Sequence, residues 1–320
     1  MIAPTPRISV IICTFNRAEL LSGALQSVVE QSLEKELFEV VVVDNASTDS
    51  TSAVVRTFQS QYACPAVILI SESTQGLGYA RNAGYKNARG KYVAFMDDDC
   101  RAPRDWLKSV LVCFESVNPE PWSVGGPIIP MYDSPKPKWF KDEYERTIWG
   151  EEARLLRQGE GFYGSNMAFK RSRIEQYGGF DLQVDMTGVY LSVGGETALF
   201  ERMWQAAGAS CRFYYCPQAS MYHRIAPHRM TISYRLKRAF AEGQAWYRLH
   251  APKSVGERFY MLMRVTAALI WYGGRAMMCA RPVPSWGNWV VEAIGPLAFC
   301  AGRAAGFWGL LIAVREREGK

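Results

Sequence analysis

Four times in its first third this chain runs through an apolar, β-branched or aromatic stretch, breaks off in a polar cluster, and resumes with helix-spaced apolar residues. Ile8 to Ile12 stops at Cys13-Thr14-Phe15-Asn16-Arg17, and Leu20, Leu21, Ala24, Leu25, Val28 and Val29 follow. Phe38 to Val43 stops at Asp44-Asn45-Ala46-Ser47-Thr48-Asp49, before Val54, Val55 and Phe58. Ala66 to Ile70 leads to Gln75-Gly76-Leu77-Gly78, and Lys91 to Met96 ends in Asp97, Asp98 and Asp99. Continuous apolar strands need cover on both faces, and strand–helix alternation supplies it. The pattern predicts an α/β fold with a mainly parallel sheet flanked by helices. Ligands of such sheets bind beyond the carboxyl ends of the strands, where all these clusters fall. Thr14, Asp44 and the three acids are therefore expected around one crevice.

Three adjacent carboxylates repel one another and raise each other's pKa unless positive charge stands between them. A hard divalent cation, Mn²⁺ or Mg²⁺, suits that donor set and keeps positions open for phosphate oxygens. A solvated acidic turn leading into the helix that starts near Pro103 is the plainer alternative. Gly76-Leu77-Gly78 does not extend to a dinucleotide fingerprint, because residue 81 is Arg and the motif follows the third strand. Its glycines instead suggest close approach of backbone to a ligand, with the Arg81 fork offered to phosphate or exposed on a helix surface.

At 320 residues, 48% hydrophobic and 21% charged, the chain can build a sizeable core in one or two domains. Its charge of +6 is compatible with anionic ligands or an acidic membrane surface and does not indicate nucleic acid. The eight cysteines form no C-x-x-C pair and no zinc spacing, which suits reduced core thiols. No basic start followed by a long apolar segment precedes the first strand, so the catalytic part is expected in the cytosol.

Ile8 to Arg17, Val42 to Asp49, Gly78-Tyr79-Ala80-Arg81-Asn82-Ala83-Gly84 and the acidic triplet Asp97-Asp98-Asp99 closely resemble family 2 glycosyltransferases of the GT-A fold. The resemblance implies a Rossmann-like, GT-A type α/β domain and covers roughly residues 7 to 245. It assigns base recognition to Thr14 and Asp44, with Asn16, Arg17, Asn45 and Arg81 beside the donor, and Asp97, Asp98 and Asp99 at the ribose and the diphosphate-bound metal. Asn166, in Tyr163-Gly164-Ser165-Asn166, corresponds to the family's acceptor-side segment and would help place the sugar. The family pattern Gly-Glu-Asp-Thr reads Gly194-Gly195-Glu196-Thr197 here, so Glu196 stands where the general base is expected, with a longer arm. As a first-turn helix residue, Glu196 also has a simple electrostatic explanation. His223 matches a His that completes the metal shell in several relatives, and Arg229 is a weaker diphosphate candidate.

Trp122 to Ile129 reads as one further strand. Tyr132 to Arg157, rich in aromatics, reads equally as a loop over the site or as an excursion that packs its rings. From Ile232 the pattern becomes helical, aromatic and basic, suited to an anionic bilayer surface, to packing on the domain, or to a second copy of the chain. Residues 289–314 are long enough to cross a bilayer but contain Glu292, Pro296 and Arg303, which favours association without spanning. The expected organisation is a catalytic domain over residues 1–250 and a membrane-associating helical tail over 251–320. The expected activity is inverting, metal-dependent sugar transfer from a nucleotide-diphosphate sugar to a saccharide or lipid-linked acceptor at the cytoplasmic membrane face. A nucleotide-sugar-binding or membrane scaffold without catalysis is the alternative, raised by the altered Gly195-Glu196 pair.

Overall fold

In the computed structural model the described residues are 5–182, 184, 194–278, 285–310 and 312–314. The first strands form where the apolar runs predict them: β1 (Ile8–Thr14), β2 (Phe38–Asp44), β3 (Ala66–Ser71) and β4 (Tyr92–Asp97). They alternate with α1 (Ala18–Val29), α2 (Thr51–Gln61) and α3 (Leu77–Asn87). Side chains alternate across the sheet. Ile8, Val10 and Ile12 pack on one face with Leu21 and Leu25 of α1, and Ile11, Val41, Val43 and Phe95 pack on the other with Ala80 of α3.

The chain continues through β5 (Cys100–Arg101), α4 (Trp106–Ser116), β6 (Ser123–Gly125), β7 (Ile128–Tyr132), β8 (Arg154–Leu155), β9 (Met167–Lys170) and α5 (Arg171–Gln176). Then come α6 (Gly195–Ala207), β10 (Phe213–Tyr215) and β11 (Met221–Ile225). Eight strands form one sheet in the order β3-β2-β1-β4-β9-β6-β10-β8, and β5-β11-β7 form a second. Neighbours are parallel from β3 to β4, while β9 runs antiparallel between β4 and β6. The single strand expected over Trp122–Ile129 is thus two strands in different sheets. The break falls at Gly126-Pro127, where a Cβ on Gly126 would lie 2.1 Å from the Ala219 carbonyl oxygen.

Paired residues Tyr92 and Lys170, on β4 and β9, both reach Glu120. Partial burial pushes the Glu120 carboxyl up, but hydrogen bonds from Lys170, Lys91 and Tyr92 outweigh it and hold the group at about 2, below the ordinary 4.5. A depressed carboxylate contributes stability above its unfolded value and loses it as pH falls through the folded one. Glu120→Gln is expected to cost about 1–2 kcal/mol at neutral pH, after allowance for solvent screening. In urea titrations that difference should shrink as pH falls from 4.5 towards about 2.

The described residues divide into two compact units, one drawn from 1–131, 145–183 and 195–224, the other from 132–144, 184–194 and 225–320. In the second, Trp139, Phe140 and Tyr144 cluster with Tyr132, Ile225 and Met230, so this part of the aromatic excursion packs its rings. Helices α7 (Ile232–Leu249) and α8 (Val255–Met278) are followed by α9 (Trp286–Trp289), a π turn over Val290–Ile294, and α10 (Gly295–Phe307). Gly243 and Gly302 let α7 and α10 meet backbone to backbone: a Cβ on either would come within 2.0 Å of a carbonyl oxygen, of Phe299 or Phe240. Arg303, awkward within an apolar helix, lies 3.8 Å over the Trp246 ring of α7, where the ring's negative face receives the cation. Trp286–Phe307 has the length and composition to cross a membrane, yet 39% of its most apolar window is buried within the protein.

Candidate active site

Strand register sets the floor of the site. Thr14 pairs with Asp44, and Cys13 with Asp97, so the ends of β1, β2 and β4 stop together at the carboxyl edge of the sheet. Asp98 and Asp99 make the turn from β4 into β5. The β5–β11 pairing then sets His223 opposite Cys100, with its Nε2 3.3 Å from Asp99 Oδ1. Donor atoms of Asp97, Asp99, Cys100 and His223 all lie within 4.8 Å of one another.

Crowding of the acids has the expected electrostatic result. Burial, then the Asp99 charge, raises the Asp97 carboxyl, against Arg81 and His223. Asp98 is pushed to about 6, chiefly by burial and against the Arg17 guanidinium. Arg17 donates to Asp98 Oδ1 at 2.9 Å and to Asp99 Oδ2 at 3.3 Å, and the Thr14 hydroxyl donates to Asp98 Oδ2 at 2.8 Å. Cys100 was missed as a neighbour of the site. Its position directly after the triplet, on a strand paired with the one carrying His223, was the available signal. Burial, then the Asp97 charge, pushes its thiol well above the usual range. The carboxylates and imidazole suit Mn²⁺ or Mg²⁺, while a soft sulfur donor does not.

Arg81 leaves α3 for the protein interior, where Nη1 donates to Glu196 Oε2 at 3.1 Å and the guanidinium lies 5.4 Å over the Phe180 ring. It is 3% exposed, which disposes of the surface-helix alternative. Gly164 makes room for it: a Cβ there would sit 1.9 Å from Arg81 Nη2. Gly164→Ala should force this fork aside and destabilise the protein by about 1–3 kcal/mol, readable as a lowered urea midpoint. Glu196 itself stands in the first turn of α6. At Gly78 the expected close approach is made by the chain itself. Gly76 caps α3 at φ 146°, and a Cβ on Gly78 would lie 2.6 Å from the Asp181 carbonyl oxygen.

The remaining polar side chains hold the loops. Asp44 accepts from the Ser47 N–H and the Ser52 hydroxyl, each at 2.9 Å. Asn45 donates to the Thr74 carbonyl at 2.7 Å and accepts from the Gly76 N–H at 2.8 Å, tying the β2 loop to the start of α3. Asn16, at φ 52°, accepts from the Thr48 N–H at 2.7 Å; asparagine tolerates that left-handed conformation. Asn166 is buried. It accepts from Trp106 Nε1 at 2.9 Å and donates to the carbonyls of Pro127 and Ala219 at 3.1 and 2.8 Å, so its amide is directed into the fold. Arg229 belongs to the second unit, on a 3₁₀ turn, 5.9 Å over the Tyr234 ring. Asn82, within the Ala80–Gly84 motif, exchanges two hydrogen bonds with the Phe180 backbone at 2.8 and 2.9 Å, a clamp that residue type alone did not suggest.

Comparison with known proteins agrees with this architecture. A glucosyl-dolichyl phosphate glucuronosyltransferase of Haloferax volcanii is 27% identical over 242 residues, 74% of this chain and 75% of the relative. The succinoglycan biosynthesis protein ExoM of Rhizobium meliloti is 26% identical over 79% of this chain and 78% of its own. In fold, the chain matches the mannosyltransferase PcManGT from Pyrobaculum calidifontis, solved with GDP-Man and Mn²⁺, at a TM-score of 0.63 and 21% identity, over 95% of this chain and 88% of that one. The family model for glycosyl transferase family 2 matches residues 9–177, from β1 through α5 and more than half of the sequence, so this chain belongs to that family and is a glycosyltransferase.

Proposed function

We propose that the enzyme is inverting and metal-dependent, moving a sugar from a nucleotide-diphosphate sugar to a saccharide or lipid-linked acceptor at the cytoplasmic face of a membrane. The observation that carries the reading is the gathering of Asp97, Asp99 and His223 within 4.8 Å, next to the strand ends that carry Thr14 and Asp44. Asp44, with lone pairs left beyond its two internal bonds, accepts from a base N–H, while Asn16 and Asn45 keep the surrounding loops in shape. Asp97, Asp98 and Arg17 would face the ribose and diphosphate, and Asp99 and His223 would hold the cation. When bound, Mn²⁺ or Mg²⁺ supplies positive charge against the departing diphosphate.

Glu196, steadied by Arg81, takes the proton from the acceptor hydroxyl. The freed oxygen pair forms the new bond to the anomeric carbon from the face opposite the diphosphate. The old carbon–oxygen bond breaks with its electrons on the leaving phosphate, and the centre inverts. A lipid-linked acceptor is supported by the relative named for glucosyl-dolichyl phosphate. The test is a screen of nucleotide sugars for released nucleoside diphosphate, with Mn²⁺ and with chelator. Release that requires the metal is expected. Undiminished release in chelator, or donor binding with no transfer to any lipid or saccharide acceptor, refutes the proposal.

A further inference from the structure

Helix α8 presents most of its apolar side chains outward. Met261, Val265 and Ala276 are buried and, at 3.6 residues per turn, fall on one side of the helix. Phe259, Met263 and Ile270 fall on the opposite side, flanked by Val255, Tyr260 and Trp271, and these six are 56–84% exposed. A contiguous apolar face of this kind on a folded protein marks a contact surface.

Charge identifies what covers it. Arg264 and Arg275 border the apolar face, and Arg258 stands on the far flank. The helix's acid, Glu257, is used as a cap: it accepts from the Lys253 N–H at 2.7 Å, while its own N–H donates to the Ser254 hydroxyl at 3.2 Å. The surrounding sequence is biased in the same sense. Of 37 basic and 31 acidic residues, 14 and 5 lie beyond residue 224, so that stretch carries +9 and the preceding part −3. A second copy would bring this positive surface against its equal, whereas an anionic sheet neutralises it.

We propose that α8 lies in the interface of a bilayer rich in anionic lipid, its Val255–Trp271 face among the acyl chains and Arg264 and Arg275 at the phosphates. Long arginine stems can follow the apolar surface while their heads stay at that level. The inference deepens the membrane placement proposed above and does not depend on the sugar chemistry.

The test is co-sedimentation of the full chain with phosphatidylcholine vesicles and with vesicles that also contain phosphatidylglycerol. Wild type should partition to the mixed vesicles and release in high salt. Ile270→Ser with Trp271→Ser, and separately Arg264→Glu with Arg275→Glu, should each weaken partition at least about tenfold, since one basic residue near such a surface is worth about fivefold. These side chains are exposed, so circular dichroism and melting should match wild type. Equal binding to both vesicle types, unchanged binding by both variants, or a wild-type dimer that the serine variant splits without any vesicle binding would each overturn the proposal. Nucleoside diphosphate release in detergent separates the two readings. Variants that release it normally but no longer sediment support the docking face, and a wild type that sediments but transfers no sugar removes only the catalytic assignment.

Discussion

Glu196→Gln should lower turnover by about 10²–10⁴-fold, the usual contribution of a positioned general base, while the donor KM stays close to wild type. The amide preserves the shape of the side chain and can still accept from Arg81, but it cannot take a proton. Arg81 complicates the result, because this deeply buried guanidinium would lose the charge of one anionic partner. A stability loss of about 1–3 kcal/mol is therefore expected alongside the kinetic defect. Single-turnover measurements on protein shown to be folded separate the two. Wild-type turnover in this variant would remove Glu196 from the mechanism.

Asp99→Asn is expected to lower transfer by about 10³-fold or more, the equivalent of several kcal/mol of charge stabilisation at the leaving diphosphate. Its effect on folding should be different in kind. Asp99's charge is among the influences that raise Asp97 and Asp98, so neutralising it relieves repulsion even as Arg17 and His223 lose a partner. The melting temperature without metal should consequently move little. In wild type, Mn²⁺ at about 100 times its dissociation constant should add about 2.7 kcal/mol of stability, and that increment should vanish in Asp99→Asn. Retained Mn²⁺ stabilisation in the variant would show that the cation is held elsewhere.

Much of the catalytic unit was legible because its signals are local. Unbroken β-branched runs such as Val40 to Val43 can only be strands covered on both sides, and the acids that end them must stand at the sheet's carboxyl edge. The positions of Asp97, Asp98, Asp99 and Glu196 follow from strand and helix ends in this way. Less legible were polar side chains whose partners lie far along the chain. The family resemblance put Asn166 beside the sugar, and nothing local showed that its amide bonds to Trp106, Pro127 and Ala219. Gly78 looked like a ligand approach, and its space is filled by the Asp181 backbone. Arg81 could be placed on a helix from sequence, but its inward course depends on the room left by Gly164, 83 positions later. The division of Trp122–Ile129 between two sheets likewise depends on a close backbone approach by Ala219 that no local pattern encodes.

The position of β4, hydrogen-bonded to β1 on one side and β9 on the other, restricts where this protein can vary in length. Removing one residue between Tyr92 and Met96 would invert every later side chain of the strand, sending Phe95 or Met96 to the wrong core and moving the carboxylates off their mark. Additions to the irregular stretch from Asp133 to Lys138, before the packed Trp139 and Phe140, meet no such penalty. Divergence among descendants of this chain should therefore collect as inserted and deleted residues in that outer stretch, while the segment before the acids keeps its residue count.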